Sequence, residues 1–145
     1  MERAVVFIRT YQSPHDYPAV RALWEGMEKG IGLGRSDAPG EIAKKAAHDP
    51  ELLLVAEAGG EIVGTVIGGY DGRRGLIYHL AVAPAFRKQG LATELMNEIE
   101  GRLRSRGCLK CYLLVLDDNE EAAAFYEKRG WKDMQHVRML GKDLD

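Results

Sequence analysis

Apolar residues along the first half of the chain alternate between the spacing of strands and the spacing of helices. A short apolar run at residues 4–8 predicts an initial strand, and a helical face follows at Val20, Leu23, Trp24 and Met27. Intervals of three and four mark one side of a helix, whereas a continuous short run between turn residues is typical of a buried strand. A second short helix is predicted from Gly40 to His48.

Three apolar runs in the middle of the chain predict an antiparallel meander. They cover residues 52–57, 62–70 and 76–82 and are separated by glycine-containing turns. Gly59-Gly60 has the composition of a tight hairpin turn. Pro84 ends the third strand, because proline has no N–H to donate to the ladder.

The longest periodic segment predicts a helix from about Gly90 to Arg106. Its apolar residues recur every four positions, at Leu91, Leu95, Ile99 and Leu103. Gly107 is suited to end this helix, since glycine readily adopts the left-handed conformation of a C-terminal cap.

The remaining segments complete the predicted topology. Residues 111–116 form an apolar run typical of a buried strand, residues 118–130 predict a helix, and residues 131–140 predict one or two last strands. A strand, a long helix and a strand in succession imply parallel pairing through a crossover. The predicted fold class is therefore α/β (α+β), with a mixed, mostly antiparallel, six- or seven-stranded sheet and helices on both faces.

Composition limits the classes of function. The chain has 145 residues, 46% hydrophobic and 29% charged, with a formal net charge of -2. This length predicts a single domain over residues 1–145. The balanced charge argues against nucleic acid or an anionic membrane as a partner, and no apolar run approaches the ~20 residues of a membrane span. Because residues 1–9 also lack the features of a signal peptide, we expect a cytoplasmic protein.

Cys108 and Cys111 form a C-x-x-C pair that raises the possibility of a redox or zinc site. A reactive pair of this kind usually opens a helix, whereas this one follows the predicted helix end at Gly107 and enters a strand. A zinc site would need two further ligands, and the four histidines show no paired spacing. We therefore expect two reduced thiols and no metal.

The turn before the long helix has the properties of an anion site. Arg87 and Lys88 bring positive charge, and Gly90 would let a ligand approach the backbone without a Cβ in the way. The first amides of a helix have no partner within the helix, and the positive end of its dipole lies there. A phosphate group fits such a position.

Two motifs give this chain a specific resemblance. The stretch Arg87-Lys88-Gln89-Gly90-Leu91-Ala92 matches the pattern R/Q-x-x-G-x-G/A, and the segment from Asn119 to Trp131 matches N-x-x-A-x-x-F/L-Y-x-x-x-G-F/W. Both patterns and the order of elements around them resemble the GNAT acyltransferases, over nearly the whole chain. The resemblance implies the GNAT fold and an acetyl-CoA-dependent N-acetyltransferase, with acetyl-CoA as cosubstrate and no metal.

The resemblance also implies roles for individual residues. Residues that would bind the cofactor are Leu80, Ala81, Val82, Arg87, Lys88, Gln89, Gly90, Leu91, Ala92, Thr93, Asn119 and Tyr126. Backbone amides from Gln89 to Thr93 would hold the pyrophosphate, and the strand Leu80–Val82 would hydrogen-bond the pantetheine arm. Tyr126 would also be catalytic, by protonating the departing thiolate.

The general base is less well determined. His79 is the best candidate by residue type, because an imidazole accepts protons near neutral pH. Side chains alternate along a strand, so Tyr78 and His79 are expected to face opposite sides of the sheet. Tyr70 and Asp71, at the hairpin end, are further candidates.

The acceptor is expected to be a primary amine, either of a small molecule or of a protein. The family resemblance implies an acceptor site near Trp24, the glycine loop at residues 30–35 and His136. The main alternative is a non-catalytic acyl-CoA-binding or sensor domain. A nucleotide-binding module is disfavoured, because the chain lacks G-x-x-x-x-G-K-[ST]. A homodimer through the C-terminal strands is compatible with the pattern but not required by it.

Overall fold

The chain forms two compact units, Met1–Leu114 and Val115–Asp145. The structure is a computed structural model that describes residues 5–28 and 31–145. The single domain expected over residues 1–145 stays a prediction.

The first unit contains five strands and three helices among its described residues. The strands are β1 (Val6–Thr10), β2 (Leu53–Ala58), β3 (Glu61–Tyr70), β4 (Gly75–Val82) and β5 (Cys111–Leu113). The helices are α1 (Tyr17–Glu25), α2 (Pro39–His48) and α3 (Leu91–Ser105). The second unit contains α4 (Glu120–Lys128). The meander, the second helix and the long helix were therefore predicted within one residue of their observed ends.

The five strands form one mixed sheet in the order β1-β2-β3-β4-β5. Neighbours from β1 to β4 pair antiparallel, and β5 pairs with β4 in parallel. The predicted fold class is confirmed, with one correction. The described residues supply five strands where six or seven were expected.

The missing strands were expected at residues 131–140, where the structure has an irregular segment. A strand needs a partner ladder and an apolar face packed against other groups. The apolar side chains of this segment lack such a face, since Val137 is 66% exposed and Leu140 is 88% exposed.

Strand β5 is also shorter than the predicted run 111–116. Its ladder with β4 ends where Leu113 lies opposite Ile77. Two residues further along β4, a bulge changes the direction of that strand, and a straight neighbour cannot follow it.

The side chains of β3 alternate between the two faces of the sheet, and helices pack on both faces. On one face, Ile67 joins Val20 and Trp24 of α1 in a buried core. On the other face, α3 lies so close to β3 that a Cβ added at Gly68 would be 2.9 Å from Cγ1 of Ile99. The glycine is thus a packing requirement, and it lets the long helix rest directly on the strand.

Candidate active site

The turn between β4 and α3 has the backbone shape expected of an anion site. Lys88 and Gly90 both have left-handed backbones, with φ of 60° and 86°. Gly90 is the N-cap of α3, and the first N–H of the helix to bond back is that of Glu94, which donates to the carbonyl of Gly90 at 3.0 Å. The amides of residues 91–93 precede this bond and have no acceptor within the helix. A Cβ at position 90 would meet no atom within 4 Å, so the approach to these amides is open on the side of the described residues.

Arg87 supports this turn from within. Its Nε donates to the carbonyl of Val82 at 3.1 Å, and its Nη2 lies 3.8 Å from Sδ of Met27. Gln89 makes a similar local bond, because its Nε2 donates to the carbonyl of Ala85 at 3.1 Å. Arg87, expected to serve the ligand by its charge, and Gln89, expected to serve it by its backbone amide, therefore also hold the turn in shape. Lys88, Gln89 and Gly90 themselves are exposed.

One edge of β4 has no paired strand beside this turn among the described residues. β5 pairs only with Gly75–Ile77, so within the described residues no strand covers Tyr78–Val82 on that side. Leu80, Ala81 and Val82, the residues expected to hold the pantetheine arm, all lie on this unpaired part. An unpaired stretch of backbone can take an extended ligand as it would take another strand.

A β-bulge in β4 overturns the expected positions of Tyr78 and His79. Ile67 lies opposite Tyr78 and Thr65 opposite Ala81, so a single β3 residue faces both His79 and Leu80. His79 has a left-handed backbone with φ of 53°. The ring of His79 consequently lies 5.4 Å from that of Tyr78 and 4.7 Å from that of Trp24, on the face covered by α1. The prediction that Tyr78 and His79 face opposite sides of the sheet is wrong, because a bulge breaks the alternation.

A buried chain of hydrogen bonds holds the bulge. Trp24 donates from Nε1 to Oγ1 of Thr65 at 2.9 Å, and that hydroxyl donates to the carbonyl of His79 at 2.9 Å. Thr65 is fully buried and Trp24 is 1% exposed. Trp24 thus lies close to His79, and its indole N–H is committed to the strand beneath it. Its place in the acceptor site stays a prediction.

The imidazole of His79 meets a carboxylate that the sequence could not place. Nε2 of His79 lies 2.7 Å from Oδ1 of Asp37, and both side chains are largely buried. Asp37 belongs to a short 3-10 turn, Arg35–Asp37, that leads into α2. The glycine loop expected at residues 30–35 precedes this turn, and Gly30 lies outside the described residues. The only local signal at Asp37 is a polar residue after a glycine-rich loop, so sequence reasoning missed it.

The alternative base Asp71 has a structural role. Its Oδ1 accepts the backbone N–H groups of Arg73 and Arg74, each at 2.8 Å, which closes the β3–β4 hairpin. These bonds to Arg74 and Arg73 hold the pKa of Asp71 below its usual value. A carboxylate with a lowered pKa is a weaker base, so Asp71 is a poorer candidate than His79.

The second unit holds the other two expected site residues. Asn119, rather than Asp118, is the N-cap of α4, and its Oδ1 accepts the N–H of Ala122 at 3.1 Å. Tyr126 lies on α4 with its ring 5.2 Å from that of Phe125 and 6.1 Å from that of Trp131. Burial raises the pKa of Tyr126 to about 12. The contacts of Asn119 and Tyr126 with the cofactor stay predictions. The same holds for His136, which is exposed in this unit.

The two cysteines are both free and half-buried. Cys108 fills the space beside Gly75, where an added Cβ would come within 2.8 Å of its Sγ. Burial raises the pKa of Cys111 to about 11, which leaves its thiol protonated near neutral pH. Among the described residues, no three His, Cys, Asp or Glu side chains are grouped as metal ligands would be.

In the described part of the chain, none of the helices combines the length and the apolar character that crossing a membrane requires.

Comparison with known proteins identifies the family. The model of the acetyltransferase (GNAT) family matches residues 17–131. An acetyltransferase of Pectobacterium atrosepticum is 43% identical over 129 residues, which cover 89% of each chain. An acetyltransferase of Yersinia enterocolitica is 43% identical over 137 residues, which cover 94% of each chain.

A solved structure extends the likeness to three dimensions. Ard1 from Thermoplasma volcanium superposes with a TM-score of 0.74 at 28% identity, covering 86% of this chain and 81% of its own. The chain therefore belongs to the GNAT acetyltransferase family and is an N-acyltransferase.

Proposed function

We propose that the protein transfers an acetyl group from acetyl-CoA directly to a primary amine. The observation that carries this proposal is the open turn at Lys88–Gly90, whose left-handed backbone leads into the unpaired amides of α3. Two amide-rich features lie in succession there: the helix start and the uncovered edge of β4. An ester of pyrophosphate with a long amide-containing arm, such as coenzyme A, has the groups that suit both.

The pyrophosphate would bind at the turn. Backbone N–H groups from Gln89 to Thr93 would donate to its oxygens, and the helix dipole would favour its negative charge. Arg87 and Lys88 would add positive charge. Arg87 would do so while bonded to Val82, so the ligand would meet a turn that is already formed.

The pantetheine arm would lie along Leu80–Val82. Its amide groups would exchange hydrogen bonds with the strand, in the manner of an added strand. This would bring the thioester close to the bulge at His79. A backbone N–H near Leu80 or Ala81 would then stabilise the oxyanion that forms on the thioester carbonyl.

Two side chains would handle the protons. The amine must be neutral to attack, although an alkylamine such as that of lysine has a pKa of ~10.4 in water. Attack makes the nitrogen cationic, so a base must then remove a proton from it. His79 would accept the amine proton. Tyr126 would protonate the departing thiolate, and Asn119 would contact the arm from the start of α4.

The contact between His79 and Asp37, at 2.7 Å, supports the transferase over the binding-only alternative, because an imidazole beside a carboxylate suits a general base. The acceptor remains a primary amine of either a small molecule or a protein. A homodimer and a cytoplasmic location stay predictions.

A charge placed in the turn tests the proposal. Replacing Gly90 with glutamate sets bulk and negative charge against the expected pyrophosphate. We expect the Kd for coenzyme A, measured by calorimetry, to rise at least about a hundredfold, which is roughly 2.7 kcal/mol. The matched control is Gly72→Glu, because Gly72 also has a left-handed backbone, with φ of 100°, and equally open surroundings in the hairpin.

Three outcomes separate the parts of the proposal. Weaker binding in Gly90→Glu alone supports the turn as the cofactor site. Equal binding in the parent and both variants would contradict it. Release of free thiol from acetyl-CoA in the presence of a panel of primary amines tests the transfer itself, and a parent protein that binds coenzyme A but turns over with no amine would contradict the proposed reaction.

A further inference from the structure

Asp37 and His79 lie 42 positions apart in the chain and meet in a largely buried contact. Oδ1 of Asp37 is 2.7 Å from Nε2 of His79, and the two side chains are 7% and 13% exposed. This distance is typical of a strong, charge-assisted hydrogen bond. It joins the turn before α2 to the bulge of β4.

The carboxylate of Asp37 is fixed by a second bond. Its Oδ2 accepts the backbone N–H of Gly34 at 2.9 Å. The backbone carbonyl of Asp37 accepts the hydroxyl of Tyr17 at 2.6 Å, which ties the same turn to α1. The carboxylate therefore cannot rotate freely, and it presents one oxygen to Gly34 and the other to His79.

This arrangement selects one tautomer of His79. An ionised carboxylate only accepts hydrogen bonds, so Nε2 must carry the hydrogen of the neutral imidazole. The lone pair then resides on Nδ1, for which the described residues supply no hydrogen-bond partner. Nδ1 is then the nitrogen of the neutral imidazole that can accept a proton.

We propose that Asp37 is a positioning residue of this enzyme, which holds His79 in the tautomer whose Nδ1 accepts the proton of the acceptor amine. The inference rests on the proposed function, and it assigns a role to the turn before α2 that the family motifs do not contain. The bond between Thr65 and the carbonyl of His79 keeps the backbone of the bulge in place while Asp37 keeps the ring in place.

The proton balance of the step is simple. The acceptor first loses its ammonium proton to solvent and becomes a neutral amine. Its nitrogen then forms a bond to the thioester carbon and becomes cationic, and one of its remaining protons passes to Nδ1 of His79. The imidazolium that results keeps its Nε2 hydrogen on Asp37, whose negative charge stabilises it. The carbon–sulfur bond then breaks, and the thiolate takes a proton from Tyr126. The products are an N-acetyl amine and free coenzyme A, and the imidazolium and the tyrosinate return to their starting forms by net transfer of one proton.

An asparagine at position 37 would reverse the tautomer. The amide oxygen of the new side chain can accept the N–H of Gly34, as Oδ2 of Asp37 does, whereas its NH2 group cannot, so the oxygen would face Gly34. Its NH2 group would then point at Nε2, which would have to accept the bond and lose its hydrogen. The hydrogen would move to Nδ1, and His79 could no longer take a proton from the amine.

The first test is spectroscopic and needs no substrate. The tautomer of His79 is measured from the 15N chemical shifts of its ring near and above neutral pH, with His79→Gln used to assign the signal among the four histidines. We expect the Nε2–H form in the parent and the Nδ1–H form in Asp37→Asn. A parent in the Nδ1–H form would overturn the inference, even if the variant failed to fold.

The second test is kinetic. We expect Asp37→Asn to lower kcat by at least roughly a hundredfold, the lower end of what general-base catalysis contributes, with the KM for acetyl-CoA changed less than about threefold. The matched control is Asp16→Asn, since Asp16 is equally buried but bonds to Arg9. An unchanged kcat in Asp37→Asn, or an equal loss in Asp16→Asn, would overturn the role of Asp37.

These tests also separate this inference from the proposed function. If the parent transfers no acetyl group, the proposed reaction fails while the tautomer measurement still decides whether Asp37 orients His79. If the parent is active and the tautomer is the wrong one, only the role of Asp37 fails.

Discussion

Replacing Thr65 with valine would break the hydrogen-bonded chain beneath the β4 bulge while nearly preserving side-chain shape. The hydroxyl of Thr65 accepts from Nε1 of Trp24 and donates to the carbonyl of His79, both at 2.9 Å. Valine supplies neither bond, and Thr65 and Trp24 are too deeply buried for water to replace them, at 0% and 1% exposure.

The expected cost follows from the two groups left without partners. Each buried polar group that loses its hydrogen bond costs about 1–3 kcal/mol. The carbonyl has a second lone pair and loses less than the indole N–H, so we expect the free energy of unfolding to fall by about 2–4 kcal/mol. For a chain of this length that corresponds to a decrease in Tm of roughly 6–16 °C.

Thermal and urea unfolding would measure this change. The control is Thr65→Ser, which keeps the hydroxyl and removes one methyl group, for an expected loss of about 1 kcal/mol. A double-mutant cycle with Trp24→Phe should show a coupling energy of at least about 0.5 kcal/mol. In the Trp24→Phe background there is no indole N–H, so Thr65→Val no longer leaves that donor without an acceptor. If Thr65→Val were as stable as the parent within about 0.5 kcal/mol, the hydrogen bonds of Thr65 would not hold the bulge as described.

Two further predictions concern the phenol and the packing of α3. Because burial raises the pKa of Tyr126 to about 12, this residue stays protonated as pH rises, and kcat should show no loss from its ionisation below about pH 11. Tyr126→Phe should lower kcat more than it changes the Kd for coenzyme A. A fall in kcat near pH 9 that is absent in Tyr126→Phe would contradict the raised pKa. Gly68→Ala, on β3, should destabilise the protein, since its Cβ would lie 2.9 Å from Cγ1 of Ile99 on α3. Gly101→Ala, on α3 with no atom outside the helix within 4 Å of the added Cβ, should raise the free energy of unfolding by about 1 kcal/mol. Thermal unfolding of both variants checks these opposite signs, and a stabilised Gly68→Ala would refute the close approach of α3.

Local patterns carried most of the fold prediction. The meander and the long helix have strong periods and clear turn residues, so their positions could be predicted from neighbouring residues alone. The last strands could not, because a strand at an edge depends on a partner elsewhere in the chain. Residues 131–140 contain apolar side chains with strand-like composition, yet they remain exposed in the described structure.

The candidate site divides in the same way. The turn at Arg87–Gly90 is continuous in sequence, and its glycine and basic residues could be recognised there. The pairing of Asp37 with His79 joins two distant segments, and nothing near either residue indicates the other. The bulge is a second obstacle to prediction. The left-handed backbone of His79 breaks the alternation of side chains along β4, so Tyr78 and His79 lie on the same face of the sheet.

The cap at the start of α4 has a consequence for selectivity. Since Oδ1 of Asn119 accepts the N–H of Ala122, the NH2 group is the part of that amide left to donate. Any partner that meets it there must offer a lone pair, as the carbonyl oxygens of an amide-containing arm do. Aspartate at this position would still cap the helix but would repel such an oxygen. Replacing Asn119 with aspartate would therefore affect binding of such a ligand without affecting formation of the helix.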